Sequence, residues 1–211
     1  MLAVNLDRLG RAHEALLNLE EARAAYEEPL GRQYEPWSSA RLCVVAALSE
    51  NWEEAYAHAK RANEAGVFAN QLLSMHLHHE VEALLRGGDE RLAREEVHRF
   101  AQRAKANERD RIAYLRSQAV LGEWEGDPER ATVHLREAEE LAEKLGLPGE
   151  LWRIRAALGA LCERRGETSE ARAAFSRAAQ TLRKLAERIG DEELREGFLS
   201  APQARRVLER G

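Results

Sequence analysis

Apolar residues return every three to four positions along most of this chain, and short polar or glycine-bearing breaks interrupt them at regular places. That spacing predicts amphipathic helices joined by tight turns. Leu6, Leu9, His13 and Leu16 form a first stripe, with Gly10 among them. Leu17-Asn18 reads as a turn and Glu20 to Glu28 as a second helix. Pro29 ends it, because proline lacks a backbone donor and crowds the preceding turn. Another pair opens at Pro36, a favourable first helical position, and carries Leu42, Val45 and Leu48. Asn51 with Glu54 predicts a capping box for its second helix, and Gly66 predicts the stop. The next unit begins near Asn70, with Leu73, Leu77, Val81 and Leu84 on one face, a break at Gly87-Gly88 and Asp89 as the following cap. Ile112, Leu115 and Leu121 mark a fourth unit that turns at Gly126-Asp127-Pro128 and ends at Gly146. A fifth runs from about Glu150, turns at Gly166 and continues to Ile189. After Gly190, Asp191 caps a short helix to about Leu199, and Pro202 opens a last one ending near Arg210.

Alanine marks the period. Ala22, Ala55, Ala93, Ala131 and Ala171 follow the turns at steps of 33, 38, 38 and 40 residues. A step in the thirties, each unit reading helix–turn–helix, predicts stacked repeats in which each helix pair buries its apolar face only against its neighbours. The expected fold is all-α, a right-handed superhelical solenoid forming one domain over residues 1–211. Its helix pairs span about 1–33, 36–68, 70–106, 108–147 and 149–189, and a C-terminal cap covers 190–211.

Two units carry a more specific pattern. Leu9-Gly10-x2-His13 is followed by Ala22-x3-Tyr26, and Leu158-Gly159-x2-Cys162 by Ala171-x3-Phe175, with 12 residues from glycine to alanine in both. The arrangement resembles the tetratricopeptide repeat. The middle units depart from it, pairing Ala55 with Ala59, Ala93 with Val97 and Ala131 with Leu135. Their longer period is similar to that of the degenerate tetratricopeptide arrays of bacterial signalling proteins. The tail from Leu194 to Pro202, with Val207-Leu208 after it, resembles the end of large ATP-dependent regulators in which an NTPase module precedes a C-terminal helical array. No P-loop occurs here, so such a module would lie outside this chain.

Composition narrows the partners. Net charge is −5, with 33% charged and only 6% aromatic residues, which suits thin, closely packed helices and argues against a nucleic-acid surface. Cys43 and Cys162 are far apart and predict a reducing compartment. Met1 to Gly10 lacks the basic start and apolar run of a signal peptide. No stretch approaches the roughly 18 apolar residues of a membrane span. A cytoplasmic location is expected.

Catalytic signals are sparse. His76, His78 and His79 cluster with Glu80 and Glu82, and pairs one helical turn apart can hold a divalent cation. The second histidine of a zinc-protease helix is missing, however, and no cysteine is near. Packing of one histidine against a neighbouring helix with solvation of the others explains the cluster better, so no metal and no cofactor are expected. Gly87-Gly88-Asp89-Glu90 copies the start of the diguanylate cyclase signature but joins two helices, so it reads as a turn plus an N-cap. The glutamate pairs at the starts of second helices complement the helix dipole.

The expected function is that of a protein or peptide recognition scaffold without catalysis, a sensor or regulatory module of a larger bacterial regulator. First helices would line its concave groove. Counting back from the alanines places Arg11, Trp37, Val44, Met75, His78, Glu82, Arg116 and Trp124 there, with Trp37 and Trp124 also suited to filling space between repeats. Rival readings are a sensor of a small effector and a metal-dependent enzyme using His76, His78 and His79. Leu2, Leu6 and Leu9 precede any cap, so either further helices upstream or self-association through the first repeat is expected.

Overall fold

A computed structural model describes residues 2–28, 34–64 and 77–211. Among them are twelve helices and no strand, packed in sequential pairs as a repeat array would be. The pairs are α1 (Leu2–Ala15) with α2 (Leu19–Glu27), α3 (Glu35–Leu48) with α4 (Trp52–Glu64), and α5 (Leu77–Arg86) with α6 (Glu90–Ala106). They continue with α7 (Glu108–Trp124) and α8 (Pro128–Lys144), α9 (Pro148–Arg164) and α10 (Thr168–Ala186), then α11 (Glu192–Ser200) and α12 (Pro202–Arg210). The expected stops at Pro29 and Gly66, the start near Asn70, and Leu73 lie outside the described residues.

Each of the first five pairs turns through one residue in the left-handed region: Leu17, Glu50, Gly88, Gly126 and Gly166, with φ of 58°, 60°, 82°, 74° and 77°. The marker alanine follows five positions later in every case, and all five alanines are buried. Glycine tolerates this conformation freely, whereas Leu17 and Glu50 adopt it against their Cβ. Capping is mostly as expected. Asn51 Oδ1 accepts from the Glu54 N–H at 3.4 Å and its amide donates to Glu54 Oε2 at 2.9 Å. Asp127 accepts from the Arg130 N–H at 3.0 Å and Asp191 from that of Leu194 at 2.9 Å. Asp89 differs: it makes no side-chain cap and instead receives Lys60 Nζ from α4 at 3.0 Å. Asp89 keeps the N-cap position while its carboxylate pairs with the preceding unit.

Packing accounts for the uneven pattern among repeats. A Cβ on Gly159 would stand 2.9 Å from the Phe175 ring, and one on Gly10 would collide with Tyr26. The aromatic therefore fills the space its own glycine leaves, and Tyr26 also meets Trp37 of the next pair edge-on, with centroids 5.7 Å apart. At the same two positions the middle repeats place Cys43 with Ala59, Val81 with Val97, and Ala119 with Leu135, all buried. Val81 with Val97 sets medium against medium and Ala119 with Leu135 small against large, whereas Cys43 with Ala59 sets small against small; both positions stay buried in every repeat. Ala131→Leu adds three carbons at a fully buried position beside Gly122. A loss of about 1–3 kcal/mol is expected in chemical denaturation, and an unchanged midpoint would contradict this packing.

The C-terminal pair covers the last repeat: Phe198, Ala204 and Val207 join Ala178 and Leu182 of α10 in one apolar cluster. It also reaches the far end of the chain. Leu17, in the first turn, belongs to that same cluster. Gln203 Nε2 donates to the Leu48 carbonyl, and Arg206 pairs with Glu50 in the second turn. The two ends of the array meet.

Candidate functional site

Helices α3, α5 and α7 pack side by side as one layer, and their contacts are unusually polar. Arg41 of α3 reaches Asp7 of α1 at 3.1 Å, and Arg116 of α7 reaches Glu150 of α9 at 2.6 Å. Both arginines are buried. Each pair spans 34 residues, one repeat, so charge links consecutive first helices. Glu123 of α7 and Arg164 of α9 form a further link at the surface. Glu14 is buried nearby, and burial pushes its carboxyl up against the opposing pull of Arg41. Burial, helped by Arg116 and Arg153, pushes His79 down to about 3, so its ring is neutral.

The eight groove residues named from sequence fall into three groups. Trp37, Val44, His78 and Arg116 are buried; Trp37 fills the gap behind Tyr26, and Arg116 is held by Glu150. Arg11 is exposed and reaches Asp7 at 3.5 Å, while Met75 lies outside the described residues. Glu82 and Trp124 come together. With Leu85, Arg86, Val120 and Glu123 they line a cavity of about 270 Å³ between α5 and α7. Trp124 is 50% exposed at its edge. Arg86 is oriented on two sides, by Glu82 at 2.8 Å and by the Trp52 ring 4.2 Å below its guanidinium. Burial pushes the Glu123 carboxyl up, against the pull of Arg164.

Sequence reasoning missed Leu85, Arg86, Val120 and Glu123. Their signal is helical spacing, since Arg86 follows Glu82 by four and Val120 precedes Trp124 by four. It also missed a buried carboxyl pair behind this layer. Glu80 of α5 accepts from Asn63 Nδ2 at 2.5 Å, and Glu96 of α6 receives Arg99 at 2.8 Å. Burial, and then the Glu96 charge, push Glu80 up to about 8.

The histidine cluster is divided. His76 lies outside the described residues, His78 and His79 stack with centroids 4.0 Å apart, and Glu80 is engaged by Asn63. Among the described residues no three His, Cys, Asp or Glu side chains converge as metal ligands. Gly87-Gly88-Asp89-Glu90 forms the turn from α5 to α6, with the Asp89 N–H on the Leu84 carbonyl at 2.9 Å. Among the described residues no helix is long and apolar enough to cross a membrane. No protein-family model matches this chain, and no curated protein matches it significantly.

Proposed function

We propose that the chain is a peptide-recognition module of tetratricopeptide type, a right-handed superhelix whose first helices read a partner segment at the Trp124 cavity. The observation that carries this reading is a half-exposed indole beside a small, partly apolar cleft between two consecutive first helices. Exposed tryptophan and arginine are the usual anchors of protein interfaces. Leu85 and Val120 give the cleft an apolar base, and its volume suits one aliphatic or aromatic side chain. Glu82 and Arg86 largely neutralise each other, so the occupant is a peptide anchored by an apolar residue rather than by charge. Catalysis is not assigned to the chain. The short tail resemblance supports a place in a larger bacterial regulator.

Selection from a displayed peptide library against the wild-type chain tests this reading. Trp124→Ala is expected to weaken a selected peptide about tenfold or more, the loss typical of an interface anchor. Val133→Ala, at an exposed position on α8, is expected to leave binding unchanged. Peptides that bind Trp124→Ala as well as wild type would contradict the assignment.

A further inference from the structure

A second cavity, of about 450 Å³, lies where the end of α8 and the start of α9 wall in one face of α10. Arg177, Thr181 and Lys184 follow each other on that face at helical spacing, with Arg188 just beyond the helix end. Four cations line the cavity against one carboxylate, Glu143, in a chain whose net charge is −5.

The cations differ in their freedom. Arg155 is buried and satisfied: it donates to Glu139 at 2.6 Å, to the Thr181 hydroxyl at 3.1 Å and to Glu143 at 3.2 Å. It forms a fixed wall. Arg177 shares Glu139 at 3.6 Å. Lys184 and Arg188 pair with no carboxylate among the described residues. Helix α9 begins at the same cavity with Pro148, and its Glu150 and Leu151 N–H groups are taken by the Leu147 carbonyl at 3.1 and 2.9 Å, so it adds the field of its dipole rather than free donors. Its first-turn acid, Glu150, is taken by Arg116. Leu151 and Leu185 supply an apolar side.

We infer that this cavity binds a phosphate-bearing small molecule. Lys184 and Arg188, one helical turn apart, take the doubly charged group, and Pro148, Leu151 and Leu185 take the body. Two cations that pair with no carboxylate among the described residues suit a compact dianion, and the volume falls in the range of small-ligand sites. The inference is independent of the peptide reading at Trp124.

Calorimetric titration of the full chain with ADP, pyrophosphate and adenosine tests it. ADP is expected to bind more tightly than pyrophosphate, and adenosine not measurably. Lys184→Ala/Arg188→Ala is expected to weaken ADP about tenfold or more, with an unchanged circular dichroism spectrum because both residues are exposed. Arg91→Ala/Arg205→Ala makes the same charge change on α6 and α12 and is expected to leave ADP binding intact. Absence of heat with ADP and pyrophosphate at millimolar concentration would overturn the assignment. So would equal weakening by both double variants, which would indicate bulk charge, or tighter binding of a glutamate-rich hexapeptide than of ADP, which would indicate a protein partner.

Discussion

Replacing Arg116 with alanine is expected to lower the stability of the chain by about 3 kcal/mol, the low end of the range for breaking a buried ion pair. The arginine is buried, and its partner Glu150, 2.6 Å away, keeps only 13% of its side chain exposed. Removing the guanidinium leaves a carboxylate out of water with its charge unbalanced. The loss stays at the low end because Glu150 sits in the first turn of α9, where the helix dipole still favours a negative charge. The cost lies mainly in the orphaned charge rather than in the pair itself, since a buried pair repays its own desolvation poorly. Arg116→Met combined with Glu150→Leu is therefore expected to recover most of the loss. Urea unfolding at neutral pH measures both. A change below about 0.5 kcal/mol for Arg116→Ala, the size of an ordinary surface substitution, would show that α7 and α9 are not joined this way.

Glu80→Gln is expected to stabilise the chain at pH 8 and to change little near pH 4.5. The Glu80 carboxyl is raised from its ordinary value of 4.5 to about 8. Between those values the folded state holds a proton that the unfolded state has lost, so wild-type stability falls as pH rises through this window. The full shift would correspond to about 5 kcal/mol at about 1.4 kcal/mol per unit, and rearrangement around an ionised Glu80 reduces the expected gain to about 2–4 kcal/mol. Glutamine keeps an oxygen for Asn63 Nδ2 and does not titrate. Other groups titrate as well: His79 and His58 are pushed down, so each adds stability as pH rises through the ordinary histidine range, while Glu14 and Glu123 are raised and act with the sign of Glu80. They contribute equally to wild type and variant and cancel in the difference. The stability difference is thus expected to grow steadily from pH 5 to pH 8. A difference independent of pH would show that Glu80 is ionised in the fold.

The helix pairs were legible in the sequence because their signals are local. A left-handed turn residue, a small residue five positions later and a capping side chain all fall within one unit, as Gly126, Ala131 and Asp127 illustrate. The unequal middle repeats were legible only as departures from a pattern, because what they keep is burial of two positions 16 residues apart rather than the residues that fill them. The buried charges were not read. One residue in three is charged, and nothing local separates Arg116, which pairs across units, from Arg91, which pairs with Glu95 one turn away. The usable signal was opposite charge one repeat apart on first helices, present in Asp7 with Arg41 and in Arg116 with Glu150. Asp89 stands at the N-cap as read, but its ion pair had no local signal, since its partner Lys60 belongs to the preceding unit. At the candidate cavity, Trp124 and Glu82 were named from sequence, while Trp37 turned inward because Tyr26 needed an aromatic neighbour across the repeat boundary. The meeting of the two ends has no local signal, as Gln203 and Leu48 are 155 residues apart.

The most direct test of the recognition reading is to follow the backbone and indole N–H resonances of the labelled chain while a library-selected peptide is added. The account predicts the largest shifts at Leu85, Arg86, Val120 and the Trp124 indole, with Val133 on α8 unmoved. A Trp124 indole that stays in place while shifts gather on the second helices would contradict it.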